Sequence, residues 1–252
     1  MKKHLLIFGA AIFCFGIFPL HAQTGGAPGV PQFGNGMDKL FGDNRTFSAT
    51  LEMQMSNSAS PMTMSGKMSF DNGSSRFEMD ISAMKGGAMP PDAASLMKSM
   101  GLDRMVSISQ TDKKIFYVIY PNAQSYTEMT PPDSATATTN ADSKVEITRL
   151  GEETVAGHPC VKNKAVVTDK QGDKHEFTVW NATDLKNFPI KIGMNEQGNA
   201  ITQSFKDISF SKPDASLFEP PTGYTKYGSV QEMMQTVMMK NIGGTGVPQP
   251  PQ

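Results

Sequence analysis

Apolar and polar residues alternate along most of the chain from residue 46 to residue 210, which is the period of half-buried β-strands. In the first run, polar Thr50, Glu52 and Gln54 separate the apolar positions Phe47, Ala49, Leu51, Met53 and Met55. The second run has its apolar side at Met62, Met64, Gly66, Met68 and Phe70. After the turn sequence Asp-Asn-Gly at 71–73, a third run has Phe77, Met79 and Ile81 on its apolar side. The pattern predicts an antiparallel meander with one apolar face and one solvated face.

The same alternation continues downstream and predicts further strands at 105–109, 115–120, 125–129, 145–150, 160–168, 175–180, 189–194 and 200–210. Two segments have helical spacing instead. The first begins at Pro90-Pro91-Asp92, has a stripe of Leu96, Met97 and Met100, and ends at Gly101. The second covers 229–241, where Ser229 and Glu232 form a capping box and the apolar stripe includes Met234 and Met238.

The ends of the chain differ in composition from the strand-rich middle. Lys2 and Lys3 precede an apolar run that ends at His21-Ala22-Gln23, which predicts a secretory signal over 1–22 with cleavage near Ala22. A Gly- and Pro-rich leader at 23–44, one domain at 45–228 with loop insertions at 84–104 and 130–144, and a disordered tail at 242–252 complete the predicted organisation. We therefore expect a periplasmic or secreted protein with no membrane-spanning segment once the signal is removed.

Charge and cysteine content narrow the function classes. The formal net charge is −1, without blocks of basic residues, so we expect no nucleic-acid partner. Removal of the signal leaves Cys160 as a single cysteine, which excludes an intramolecular disulfide. His158 lies two residues before it, and we expect this pair to be structural because Pro159 between them indicates a turn or bulge. No nucleophile motif is present, so we predict that the protein is not an enzyme and needs no cofactor.

Methionine is unusually frequent, with 19 residues against a single tryptophan. Methionine side chains are flexible and suit surfaces that must accept apolar partners of varied shape, which favours a deformable hydrophobic cleft. Thioethers are also soft ligands, so the Met-x-Met pairs at 53–55 and 62–64 leave a Cu(I) or Ag(I) binding protein as an alternative. A structural or interaction domain without a small ligand is the third possibility.

Four stretches in order resemble the LolA and LolB type of periplasmic lipoprotein carriers. They are the opening strand at 46–49, the strand, turn and aromatic strand at 106–126, Trp180 followed by Phe188-Pro189-Ile190, and the Phe-Glu-Pro-Pro-Thr-Gly-Tyr end at 218–224. Residues 151–160 also resemble a segment of an uncharacterised family of exported bacterial proteins. The carriers have a basic residue and a proline where this chain has Asp71-Asn72-Gly73, which puts their release mechanism in doubt here.

The resemblance implies a mainly β (α+β) fold, an open antiparallel half-barrel whose concave face is covered by short helices and holds acyl chains. We therefore predict a monomeric, non-catalytic binder of a lipid or lipid-modified protein, with no resident metal. The expected cleft residues are Met53, Met55, Met64, Met68, Phe70, Phe77, Met79 and Ile81. The expected covering residues are Leu96, Met97, Met100, Met234 and Met238.

Overall fold

The alternating runs form most of the thirteen strands of one sheet in the computed structural model, which describes residues 37–56, 61–86, 91–130, 144–168, 172–196 and 199–243. The strands are β1 Thr46–Ser56, β2 Met62–Asp71, β3 Ser74–Asp80, β4 Lys85–Gly86, β5 Arg104–Gln110, β6 Ile115–Tyr120, β7 Ser125–Met129, β8 Lys144–Val155, β9 His158–Thr168, β10 Lys174–Ala182, β11 Phe188–Glu196, β12 Asn199–Ser209 and β13 Thr225–Tyr227. The helices are α1 Pro91–Ser99 and α2 Val230–Gly243, with short 3₁₀ helices at Met37–Phe41, Ile81–Ala83, Pro121–Ala123 and Ala215–Phe218. The predicted signal, most of the leader, the interior of the 130–144 loop and the tail from 244 lie outside the described residues.

The sheet is open. Its strand order is β13-β7-β6-β5-β3-β2-β1-β12-β11-β10-β9-β8, with β4 added beside β2, so β13 and β8 are the two end strands in the described chain. All neighbouring strands are antiparallel except β13, which runs parallel to β7. The prediction of a mainly β, open antiparallel half-barrel with short covering helices is confirmed, with β13 as a strand that the sequence pattern did not reveal.

Local sequence explains the tight connection between β2 and β3. Asn72 and Gly73 both have positive φ, at 46° and 90°, and Asp71 pairs with Ser74 across the turn. Two positive φ angles in a two-residue loop define the hairpin turn that Asn-Gly favours. This turn fixes the register so that Phe77 lies opposite Met68 and Met79 lies opposite Gly66.

We call the face of the sheet that carries the large apolar core the inner face, and the opposite face the outer face. On β1, buried and less buried residues alternate from Phe47 to Met53, as the sequence predicted. The aromatic end of the inner face is filled by rings whose centroids lie 4.8–6.0 Å from their neighbours. These rings belong to Phe41, Phe47, Phe70, Phe188, Phe205 and Phe210. This end of the half-barrel is therefore a closed core.

Residues 215–224, which we call the C-terminal strap, cover the outer face at β5 and β6. Phe218 of the strap packs there with Val106, Ile108, Tyr117 and Ile119 in a second apolar cluster. The Gln110 side-chain amide donates a hydrogen bond to the Phe218 carbonyl at 2.6 Å. Because the strap covers one face and the inner core the other, β5 and β6 are buried on both faces.

The rest of the outer face is polar, and it carries the single tryptophan. The ring of Trp180 on β10 lies between the ammonium groups of Lys162 and Lys191, at 5.1 and 4.6 Å from its centroid. Its indole N–H donates a hydrogen bond to Glu153. Trp180 therefore reports on β9–β11 from the outer face, where it is partly buried against the main core cluster. Among the described residues no helix is long and apolar enough to cross a membrane.

The capping box predicted for the terminal helix is present. The Glu232 amide N–H donates a hydrogen bond to Ser229 Oγ at 3.0 Å, and the Glu232 carboxylate accepts one from the Gly228 N–H at 3.0 Å. The Glu232 carboxylate thus accepts a hydrogen bond from the N–H of Gly228, the residue before the cap. In a standard capping box it accepts one from the N–H of the cap residue itself.

Ser229→Ala is expected to lower the free energy of unfolding by about 1 kcal/mol, because it removes the acceptor of a first-turn N–H. Urea unfolding followed by circular dichroism measures this change. Ser65→Ala is the control, because Ser65 is exposed on β2 and caps no helix. An effect at Ser229 no larger than the effect at Ser65 would contradict the assignment.

Candidate ligand-binding face

Pairing between strands arranges the inner face in rows that cross the sheet. One row joins Met53 to Met64 on one side and to Gln203 on the other, and Gln203 pairs with Ile192. The next row towards the sheet margin joins residues of β2, β1, β12, β11 and β10. These residues are Met62, Met55, Ile201, Met194 and Phe177, and we call this row the rim.

The rim differs from the rows beneath it in exposure. Met62, Met55, Ile201 and Met194 are half-buried, whereas Phe177 is buried. The row continues through Ala165 on β9 to Ile147 on β8, which is 67% exposed. Neighbouring strands are about 4.8 Å apart, so the five rim strands span about 19 Å. An apolar margin of this length is thus partly accessible to a ligand.

Most of the predicted cleft residues lie deeper than the rim. The members that are 9% exposed or less are Met53, Met64, Met68, Phe70, Phe77, Met79 and Ile81, whereas Met55 is half-buried. All eight belong to, or pack against, one core cluster. The structure therefore brings the predicted residues together on one face, but places most of them in the core.

The two helices pack against this core through faces that only partly match the prediction. In α1 and just after it, Met97 is half-buried and Met100 is 9% exposed, in agreement with the predicted stripe. Leu96, however, is 54% exposed, so its predicted covering role is wrong. Residues three apart share a helix face, and Met97 and Met100 have that spacing, whereas Leu96 precedes Met97 by about 100°.

The terminal helix α2 is rotated relative to the prediction. Met233 and Val237 are 0% and 6% exposed and form its buried face, which contacts the inner core. Met234 is half-buried beside them, but Met238 is 43% exposed and does not cover the sheet as predicted. Both the 233/237 and the 234/238 pairs are apolar at i, i+4, so the sequence pattern alone did not determine which pair faces inward.

Sequence reasoning missed a set of buried polar groups on the inner face. Gln203 is 2% exposed and lies in the row between Met53 and Ile192. Its Oε1 atom accepts no hydrogen bond from the described part of the chain, and the same holds for Thr127 Oγ1 on β7. An unsatisfied buried amide oxygen costs about 1–3 kcal/mol, so Gln203 is a site where a ligand could contribute a favourable contact.

Acid–base groups are scarce on this face. Tyr120 is 4% exposed, and burial raises its pKa, so the phenol stays neutral at physiological pH. Cys160 is 3% exposed, and burial raises the pKa of its thiol, which disfavours the reactive thiolate. His158 Nδ1 lies 2.8 Å from Asp184 Oδ2. The Cys160 thiol donates a hydrogen bond to the backbone carbonyl of His158 and not to its imidazole ring.

In the described ranges no group of three or more His, Cys, Asp and Glu side chains could hold a metal ion.

A separate pocket lies where α1 ends, and its lining is mostly polar. It is lined by Lys98, Ser99, Met100, Gly101, Asp103 and Asn122. Gly101 has φ of 70°, and a Cβ there would lie 2.8 Å from the Asn122 backbone, so this glycine is needed for close packing. The polar lining makes this pocket unsuited to an acyl chain.

The family model described as DUF4412, a domain of unknown function, matches residues 47–188. No curated protein sequence matches the chain. Among solved structures, the chain is similar to a LolA superfamily protein from Nitrosomonas europaea, with 9% identity, a TM-score of 0.38, and coverage of 72% of this chain and 93% of that one. It is also similar to lipoprotein LppX from Mycobacterium tuberculosis, with 9% identity, a TM-score of 0.39, and coverage of 69% and 91%. LprF from Mycobacterium bovis has 11% identity, a TM-score of 0.36, and coverage of 71% and 93%. All three likenesses lie at 11% identity or below and at TM-scores below 0.4.

Proposed function

The chain belongs to the DUF4412 family, a domain of unknown function, and we propose that it is a non-catalytic protein that binds a hydrophobic ligand on the inner face of its half-barrel. The ligand class is a lipid or a lipid-modified protein, and the contact surface is the rim together with the methionines directly beneath it. The proposal includes export of the chain, from the predicted signal at 1–22. The observation that carries it is the apolar rim, which crosses five adjacent strands and is half-buried on four of them.

The rim offers apolar surface without charge. The side chains of Met62, Met55, Ile201 and Met194 are half-buried and stand side by side across four strands. Each methylene group of an acyl chain removed from water contributes about 0.8 kcal/mol. An extended chain lying across the rim would therefore gain binding free energy in proportion to the number of methylenes that it buries.

Methionine in the rows beneath makes this surface adaptable. Met53 and Met64 lie directly below the rim, and Met97 of α1 packs against the same core. An unbranched side chain with three rotatable bonds can move aside and repack around a ligand more easily than a branched one. We propose that ligand entry displaces rim and helix side chains while the aromatic end of the core stays in place.

Binding is tested with a fluorescent fatty acid and with native mass spectrometry of the protein purified without detergent. Ile201→Glu is expected to weaken binding of the fatty acid at least tenfold, because the acyl chain would then lie against a carboxylate. Ala200→Glu is the matched control, since Ala200 is exposed and precedes Ile201 on the opposite face of β12. We expect wild-type affinity from this control.

Two outcomes would overturn the proposal. One is a wild-type protein that neither retains acyl species in native mass spectra nor binds the fluorescent fatty acid. The other is equal loss of binding in Ile201→Glu and Ala200→Glu, which would place the ligand elsewhere. The same mass spectra measure the oligomeric state, for which a monomer is predicted.

A further inference from the structure

Four methionines on the first hairpin form a compact block on the inner face. Met53 lies directly opposite Met64, and Met55 lies directly opposite Met62, in the antiparallel register of β1 and β2. We call these four residues the methionine quartet. The sequence predicted the two Met-x-Met pairs on the same face of adjacent strands, and the register places them directly opposite each other.

The spacing of the quartet allows its sulfur atoms to converge. Directly opposite residues in an antiparallel pair have Cβ atoms about 5 Å apart, and same-face neighbours along a strand are about 6.8 Å apart. The four Cβ atoms therefore stand at the corners of a rectangle, each about 4 Å from its centre. Three rotatable bonds per side chain let the thioethers turn from these corners towards one point above the centre.

Burial divides the quartet into a fixed pair and an accessible pair. Met53 and Met64 are 7% and 1% exposed, so their side chains are held by the core. Met55 and Met62 are half-buried members of the rim, so an ion can reach them from the margin of the sheet. A site of this kind is partly assembled before the ion arrives.

A second and independent feature is the amide of Gln203. It lies beside Met53 on β12, is 2% exposed, and its Oε1 atom accepts no hydrogen bond from the described residues. A cation moved from water into an apolar face needs compensating negative charge or dipoles. The unsatisfied carbonyl oxygen of Gln203 supplies the negative end of such a dipole next to the quartet.

We propose that the methionine quartet binds one soft monovalent cation, Cu(I) or Ag(I). Thioether sulfur is a soft ligand that selects Cu(I), whereas Ca²⁺ and Mg²⁺ require oxygen ligands that the quartet does not offer. The site shares Met55 and Met62 with the proposed acyl-binding rim, but it depends on the sulfur atoms and not on apolar surface alone. Leucine in place of methionine would keep the apolar surface and remove the ligand atoms.

The test is an anaerobic titration of the full chain with Cu(I) in competition with a chromophoric Cu(I) chelator. All proteins carry Cys160→Ala, so that the buried thiol does not contribute. We expect one Cu(I) per chain and at least tenfold weaker binding when Met55→Leu and Met62→Leu are combined. The control combines Met97→Leu and Met194→Leu, which are half-buried methionines outside the quartet, and is expected to keep wild-type affinity.

Methyl NMR of protein labelled with ¹³C at the methionine ε-carbon identifies the ligands directly. Titration with Ag(I) is expected to shift the resonances of Met53, Met55, Met62 and Met64, each assigned by a single Met→Leu substitution. Gln203→Leu is expected to weaken Cu(I) binding several-fold. Fatty-acid binding is measured separately on protein without Cu(I), so a failure to bind Cu(I) and a failure to bind the fatty acid are distinguished.

The proposal is overturned if the protein fails to compete with the chelator, or if the control variant loses Cu(I) as strongly as the quartet variant. It is also overturned if the methyl resonances that shift with Ag(I) belong to methionines elsewhere in the chain.

Discussion

Phe188→Ala is expected to lower the free energy of unfolding by about 4 kcal/mol, because a fully buried ring is replaced by a methyl group and the cavity cannot close. Phe188 is 0% exposed, and its ring lies 4.8–5.8 Å from those of Phe41, Phe47, Phe205 and Phe210. These neighbours come from a 3₁₀ helix, from β1 and from the end of β12, so the ring joins distant parts of the chain. For a domain of this size the loss corresponds to a fall in Tm of roughly 10 °C.

Urea unfolding followed by Trp180 fluorescence measures the change, since Trp180 is the single tryptophan and lies on the outer face away from the substitution. Phe210→Ala is the control. Phe210 is half-buried, and its ring lies 5.8 Å from that of Phe188 and 4.5 Å from the Lys186 ammonium, so we expect a loss of about 1 kcal/mol. A loss at Phe188 that does not exceed the loss at Phe210 would show that the aromatic end of the inner face is not a packed core.

Gly66→Ala is expected to lower the free energy of unfolding by about 3 kcal/mol, through overpacking at the centre of the sheet. A Cβ at Gly66 would lie 2.3 Å from the carbonyl oxygen of Glu78 and 2.7 Å from the ring of Phe77. The carbonyl belongs to the neighbouring strand, so relief of the clash requires β2 and β3 to move apart. Backbone amides that pair β2 with β3 are then expected to exchange their hydrogens faster than in the wild-type protein.

Gly193→Ala is the matched control, because Gly193 is also a strand glycine without positive φ. A Cβ there would meet the Trp180 ring at 3.6 Å, an ordinary van der Waals distance. Alanine restricts the unfolded chain more than glycine, so we expect this variant to be more stable than wild type by roughly 0.5–1 kcal/mol. If both substitutions changed stability in the same direction by similar amounts, the clash expected between a Cβ at Gly66 and its neighbours Glu78 and Phe77 would be contradicted.

The strands and their inner positions could be predicted from the sequence because burial on one face leaves a period of two. Phe47 to Met53 and Met64 to Phe70 followed that rule closely, and the Asn72-Gly73 turn determined the β2–β3 register. Gly66 fitted the same alternation as an apolar position. The structure requires glycine at this position because a Cβ would clash with Phe77 on the neighbouring strand. The alternation along a single strand carries no information about that contact.

Long-range pairing was not accessible from the sequence. β1 pairs with β12, which joins residues about 150 positions apart, for example Met53 with Gln203. This pairing places Gln203 beside the methionines, so neither the rim nor the buried amide could be derived from a single strand. The β1–β2 connection is longer than a two-residue turn, and several registers would have kept the methionines on the inner face. The pairing of Met53 with Met64 is one of those registers.

Helix orientation was the other limit. In α2, the pairs Met233/Val237 and Met234/Met238 are both apolar and lie about 100° apart around the helix axis. Tertiary contacts with β7 and β13 decide between them, and the short parallel strand β13 had no sequence signal of its own. The strap likewise covers an outer face that alternation had indicated to be solvated.

Three consecutive segments cover the same part of the sheet. The C-terminal strap covers its outer face, β13 pairs with its edge strand β7, and α2 packs on its inner face. Strands β5–β7 are made early during translation, yet their apolar surfaces on both sides stay uncovered until residues 215–243 arrive. Uncovered apolar surface and a free strand edge promote aggregation of partly folded chains. Completion of this part of the sheet therefore waits for residues 215–243, and until they are translated the newly made chain is prone to self-association.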